Sequence, residues 1–148
     1  MTLHADYDPD NIFAKILRDE LPSARVYEDD HTVALLDIMP RVDGHVLVIP
    51  KTPARNMLDA TPEQLAACMA TVQKISHAVM KAFDAEGVTL QQFNEAVGGQ
   101  EIFHLHFHIL PRHEGIKPRP PASEMAKPDV LKAHADKIKA ALESHLKT

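Results

Sequence analysis

Cysteine is nearly missing from this chain, which has Cys68 and no other in 148 residues. That excludes an intrachain disulfide framework and a cysteine-based zinc knuckle, and a reducing compartment is expected. Basic charge is also scarce. A net charge of −5 argues against a nucleic-acid backbone as the main partner, because binding phosphate at scale needs a basic surface. A small anion bound locally remains compatible. No apolar run approaches the roughly 20 residues needed to cross a bilayer, and the N-terminal segment lacks a basic stretch followed by an apolar one. The expectation is a cytoplasmic protein with no membrane partner. Low-complexity tracts and internal repeats are absent too. With 45% hydrophobic and 25% charged residues, the chain reads as one ordinary globular domain, long enough to bury about two-thirds of its unfolded surface.

The hydrophobic pattern supplies the elements. "DNIFAKILRDELP" places Ile12, Phe13, Ile16 and Leu17 at helical spacing, with Asp10 as N-cap and Pro22 closing the segment. Two strands, about residues 24–27 and 32–37, flank the acidic turn Glu28-Asp29-Asp30, and "GHVLVIPK" is a third, halted by Pro50. The clearest helix spans 62–86. Thr61 caps it, Pro62 opens it, Gln64 completes a capping box and Gly87 follows it. Its Leu65, Met69, Val72, Val79 and Phe83 are assigned to one buried face, and Cys68 is read as a buried small hydrophobe. "VTLQQFN" and "HLHFHILPR" alternate as strands. The order predicts an α+β domain, an antiparallel sheet of about five strands with helices on one face. Prolines 111, 118, 120, 121 and 128 mark an irregular segment before an amphipathic helix from Asp129 to about His145, packed through Leu131, Ile138 and Leu142.

Three histidines at alternate positions, His104, His106 and His108, are the feature that calls for chemistry. On a strand they share one face, about 6–7 Å apart, while Leu105, Phe107 and Ile109 take the core face. Three readings compete. The first is an exposed face without a role. The second is a metal site, since neutral imidazole is a common ligand, although such sites usually add a carboxylate or a distant histidine. The third is anion chemistry, with one imidazole as nucleophile or base and its neighbours as donors to phosphate oxygens.

"HLHFHILPR" resembles the alternating His and apolar signature of the histidine triad, or HIT, nucleotide hydrolases and transferases. "NIFAKILRDELPSARVYEDDHTVALLDIMPRVDGHVLVIPK" and "GGQEIFHLHFHILPR" extend the resemblance over about residues 11 to 113. It implies a single HIT-like domain over residues 1–148, with its core at 11–113 and a Pro-rich linker and C-terminal helix at 114–148. It also implies a short N-terminal helix, one long helix and a homodimer. His106 would be the nucleophile, His108 and His45 would contact the α-phosphate, and His104 would order the strand. Asn94, Gly99 and Gln100 would approach the phosphate and leaving group, and Asp37 the ribose hydroxyls. Ile12, Phe13, Ile16 and Leu35 match the purine slot, with plain core as the alternative for all four.

The implied activity is hydrolysis at the α-phosphate of purine nucleoside phosphoramidates or dinucleoside polyphosphates through a nucleotidyl-histidine, with no cofactor and no catalytic metal. A non-enzymatic purine-nucleotide sensor on the same scaffold, or a His-ligated metal protein, are the alternatives. Many bacterial relatives carry a structural zinc, but Asn11, Ala14 and Pro53 stand where its ligands would be, so no zinc is expected. Glu101 puts a carboxylate beside the leaving-group side, and Glu95-Ala96 replaces a Gly-Pro, so that loop is expected to differ in shape. His4, His31, His77, His134 and His145 are read as surface residues, and His113 as a solvated loop residue. A tail that folded back, or crossed to the partner, after the Pro-rich connection would border the site and tune substrate choice.

Overall fold

The computed structural model describes residues 6–146, with side chains to residue 144. Five antiparallel strands form one sheet: β1 (Arg25–Glu28), β2 (Thr32–Leu36), β3 (Val46–Pro50), β4 (Gly87–Gln91) and β5 (Phe107–Arg112), in the order β1-β2-β3-β5-β4. Three α-helices accompany it: α1 (Ile12–Leu17), α2 (Pro62–Ala82) and α3 (Pro128–Leu146). His4 and the side chain of His145 lie outside the described residues.

Every residue of β2 and β3 is buried. Such strands are covered on both faces, and the unbroken apolar run "VLVIP" is the sequence form of that burial. Ala34, Leu36, Val46 and Val48 face Cys68, Val72, Ile75 and Val79 of α2 and Ile138 and Leu142 of α3. Val33, Leu35, Leu47 and Ile49 face Phe13 and Ile16 of α1. The expectation of helices on one face is therefore corrected. The two long helices share a face, and α1 takes the other.

Helix ends show what the side chains decide. Asn11, not Asp10, caps α1, its side chain accepting the Ala14 amide at 2.9 Å. The helix stops at Leu17, well before Pro22, because Asp19 turns to φ 61°. Thr61 and Gln64 do form the capping box of α2, which contributes about 1 kcal/mol. That helix ends at Ala82 rather than 86, and Gly87 opens β4 instead of terminating α2. Its buried stripe runs through Cys68, Thr71, Val72, Ile75, Ala78 and Val79. Met69 is 44% exposed, as is Leu90 on the edge strand β4. Ile138 and Leu142 of α3 are buried and Leu131 is partly buried against the same core.

Close packing fixes the turn into β3. Gly44 has φ +83°, and a Cβ there would lie 2.5 Å from the Phe83 ring, so only glycine fits where α2 ends against this turn. His113, expected in solvent, is half-buried and shares a hydrogen bond with the Phe83 carbonyl at 2.8 Å. His134 packs edge-on against the same ring. His31 and His77 are exposed, as expected.

Candidate active site

The alternation of His104, Leu105, His106, Phe107 and His108 survives although β5 begins only at Phe107. Leu105 and Phe107 enter the core between sheet and helices, which turns the imidazoles the other way. The segment before β5 is held from outside the sheet, with the Leu105 amide donating to the Ala54 carbonyl at 2.8 Å. Continuous sheet pairing of all three histidines, implied by one strand over 104–112, is corrected accordingly. Only His108 lies on β5, paired with Leu47 and Gln91.

Backbone partners assign the proton on each ring. The His106 Nδ1 lies 2.6 Å from the His104 carbonyl oxygen. A carbonyl only accepts, so Nδ1 carries the proton and Nε2 keeps the lone pair. His104 Nε2 donates to the Pro50 carbonyl at 2.9 Å, and its Nδ1 accepts the Tyr7 hydroxyl at 2.7 Å. The Arg41 amide donates to His45 Nδ1 at 3.1 Å. His45 Nε2 is thus protonated and donates to His108 Nδ1 at 3.0 Å, which leaves His108 with its N–H at Nε2. One backbone amide at residue 41 thereby sets the donor face of His108 through two rings.

Burial keeps these rings neutral. It lowers the pKa of His104 to about 4 against the weak opposing pull of the Pro50 carbonyl. His45 falls to about 4 by burial and the Arg41 charge, and His108 to about 3 by burial and its positively charged or titratable neighbours His106, His45 and Arg41. His106 is lowered by burial as well, against its hydrogen bond to the His104 carbonyl. Asp37 moves the opposite way. Burial raises its pKa against the hydrogen bond from the Met39 amide, and the Glu101 charge adds to the rise.

A cavity of about 710 Å³ brings together Ile12, Phe13, Ile16, Leu35, Asp37, His45, Gly99, Glu101, His106 and His108. Its apolar wall comes from α1 and β2, and its polar end from the turn before β3 and from β5. Phe13 stacks edge-on to His106 at 4.9 Å between ring centres, and Phe93 to His108 at 5.6 Å. Gly99 has φ +100°, and a Cβ there would meet the Phe93 ring at 3.1 Å.

Three expected site residues stand outside this wall. His104 is fully buried behind His106. Asn94 accepts the Met57 amide at 2.8 Å and exchanges amide hydrogen bonds with Gln92. Gln100 accepts from the Glu95 amide and Asn56 and donates to the Arg55 and Ile102 carbonyls. Its side chain is saturated, so its part is to brace the loop after β3. Glu95 takes φ 66°, and its carboxylate grips Arg55 through two contacts of 2.8 and 3.0 Å. The loop shape expected to change at Glu95-Ala96 is organised around that pair.

Sequence reasoning missed Tyr7, Arg41, Phe93 and the strap made by the Pro-rich segment. Arg119 donates its amide to the Arg41 carbonyl at 2.7 Å and Ala126 to the Ile38 carbonyl at 2.8 Å, so Pro121 and Ala122 line the cavity. Prolines 118, 120 and 121 announced irregular backbone there but not its path, while Pro111 lies within β5 and Pro128 opens α3, against the expectation for those two.

Asp37, His45 and His108 bring three ligand-type atoms within 4.8 Å of one another, the one such cluster found among the described residues. A cation held there would need a lone pair at His45 Nε2, where the Arg41 amide enforces a proton. Of the three, only His108 keeps an N–H for a ligand's oxygen, while Asp37 only accepts. At the zinc positions of bacterial relatives, the Asn11 side chain caps α1, Ala14 is buried, and both nitrogens of His104 are already engaged.

Residues 18–115 match the model of the HIT domain. The chain belongs to the HIT domain family. A HIT-like protein of Bartonella henselae, described as involved in cell-cycle regulation and solved with an unknown ligand, is 52% identical and superposes with a TM-score of 0.89, covering 93% of this chain and 99% of that one. Protein hit of Bacillus subtilis is 42% identical over 69% of this chain and 70% of its own length. Adenylylsulfatase HINT3 of Arabidopsis thaliana is 41% identical over 71% of this HIT chain but only 53% of its own length.

Proposed function

We propose that this HIT protein hydrolyses purine nucleotides at the α-phosphorus, taking nucleoside phosphoramidates, dinucleoside polyphosphates or related nucleotidyl-linked substrates. The observation that carries the reading is the 2.6 Å contact between His106 Nδ1 and the His104 carbonyl, which leaves Nε2 as the nucleophilic nitrogen of a neutral ring. Nε2 attacks phosphorus, the new N–P bond forms and the bond to the leaving group breaks. The ring then carries positive charge, which the carbonyl at Nδ1 stabilises. Water next attacks phosphorus, the N–P bond breaks, the proton of water is released and nucleoside monophosphate leaves.

In this reading His108 Nε2–H donates to a phosphoryl oxygen, and His45 acts through His108 rather than on the phosphate. Such a preformed donor contributes about 10²–10³ in rate. Asp37 would accept from the ribose hydroxyls, and the purine would lie between Ile12, Phe13, Ile16 and Leu35. Asn94 and Gln100 would act through loop shape alone. The name of the plant relative, an adenylylsulfatase, agrees with attack at an adenylyl phosphorus. We further propose a homodimer. The open positions of Met69 on α2 and Leu90 on the edge strand β4 favour a partner there. Turnover measured across phosphoramidate, dinucleoside polyphosphate and nucleotidyl-sulfate substrates tests the activity. Nucleoside monophosphate release from at least one class is expected, and binding without turnover in all three would make the protein a sensor instead.

A further inference from the structure

A second cleft, of about 490 Å³, lies between the C-terminal end of α2, the middle of α3 and the segment after β5. Its wall carries Arg41, Arg112, Lys117, Arg119 and Lys137, against Asp43 and Asp84 as the only carboxylates lining it. Five cations to two acids is the reverse of the whole chain, whose net charge is −5. Opposite charges within the wall cancel little of this. Asp43 approaches Arg119 at 3.3 Å, while Lys137 sits 5.1 Å above the Phe83 ring centre and Lys117 is exposed.

The floor of the cleft is built rather than incidental. Arg112 ends β5, with Nη1 donating to Thr89 Oγ1 at 3.0 Å and Nη2 reaching the Ile116 carbonyl at 3.5 Å. Its Nε is buried and has no hydrogen-bond partner among the described residues. None of the group's described partners is a carboxylate, so the guanidinium charge stands uncompensated at the floor of the cleft. Cations lining a concave, low-dielectric wall also concentrate their field on whatever enters.

We propose that this cleft is a second anion site, separate from the triad cavity, that takes a compact oligophosphate. Arg112 and Arg119, whose terminal nitrogens each donate to a protein acceptor, contribute charge and their second N–H groups, and Lys117 and Lys137 add point charges at the mouth. The size suits a small ligand, and the acidic surface elsewhere disfavours a long polyanion. The site shares one wall with the triad cavity, since Arg41 lines both. The strap divides them, Arg119 facing this cleft and Pro121 the triad.

Titration of the isotope-labelled full chain with inorganic tripolyphosphate, followed by amide NMR shifts, tests the proposal independently of any catalytic activity. Saturable shifts centred on residues 112–119 and around Lys137 are expected. The double variant Lys117→Gln/Lys137→Gln should weaken the affinity about tenfold, with an unchanged melting temperature, because two solvent-exposed charge pairs are lost. His106→Ala should bind as the parent does. Absence of saturable shifts, shifts centred on Gly99 and His108, or equal affinity in the double variant would each overturn the proposal.

Discussion

Lowering the pH from 7.5 to 5.0 should destabilise this protein far more than its carboxylates alone predict. His104, His45 and His108 have folded-state pKa values of about 4, 4 and 3, against about 6.5 in the unfolded chain. Because the folded values are depressed, the unfolded state binds protons first as pH falls. The stability is fully present above pH 6.5 and is lost through the window between 6.5 and the folded values. At pH 5.0 each ring sits 1.5 pH units inside that window, which costs about 2 kcal/mol, so the three together cost about 6 kcal/mol. Asp37, whose pKa is raised mainly by burial, has the opposite sign and offsets part of the loss. Glu28 and Asp29, both lowered, lose their contribution only at lower pH, in the ordinary carboxylate range. For a domain of this size the three-histidine loss alone corresponds to a fall of roughly 12–24 °C in Tm, which the Asp37 offset reduces. Thermal scans of ligand-free protein at matched ionic strength measure it, and His108→Gln should flatten the dependence by about a third. A Tm constant to within about 3 °C across the window, or a slope untouched by the substitution, would refute the account of neutral, locked imidazoles.

Three further outcomes are expected. Gly99→Ala should lose about 1–3 kcal/mol in denaturant unfolding, because of its φ of +100° and the 3.1 Å approach to Phe93; unchanged stability would show that the turn carries no such constraint. Glu101→Gln removes a carboxylate that adds to the burial-driven rise of the Asp37 pKa, and should lower KM for an anionic substrate up to about fivefold with kcat unchanged. An unchanged or raised KM would place Glu101 away from the substrate's charge. Light scattering should give about twice the 16.4 kDa chain mass, and a monomer mass at all concentrations would reject the partner surface at Met69 and Leu90.

The sequence was most informative where one residue type has one physical use. Thr61, Pro62 and Gln64 announced the start of α2 because capping groups act within a single turn, and the alternation from Leu105 to Ile109 separated core from cavity without tertiary information. Asn11 and Asp10 are both good caps, so only the direction in which the chain enters α1 chose between them. The single-sided helical layer failed for a related reason: "VLVIP" was read only as a strand, although an unbroken apolar run fits burial on both faces, and local pattern does not say which helix supplies the second cover. Tyr7 and Arg41 were invisible, since one works through a hydroxyl reaching across 97 positions and the other through a backbone amide. Gln100 and Asn94 occupy the loop that the resemblance assigned them, yet their amides are consumed in holding it.

The account rests on His106 differing in kind from its neighbours, and trapping the covalent intermediate tests that most directly. Wild-type protein quenched during turnover of a substrate labelled at the α-phosphoryl group should retain acid-labile, base-stable label. His106→Ala should retain none and show no turnover, while still binding nucleoside monophosphate within about tenfold of wild type. Turnover without label on the protein, together with appreciable activity in His106→Ala, would contradict the covalent mechanism.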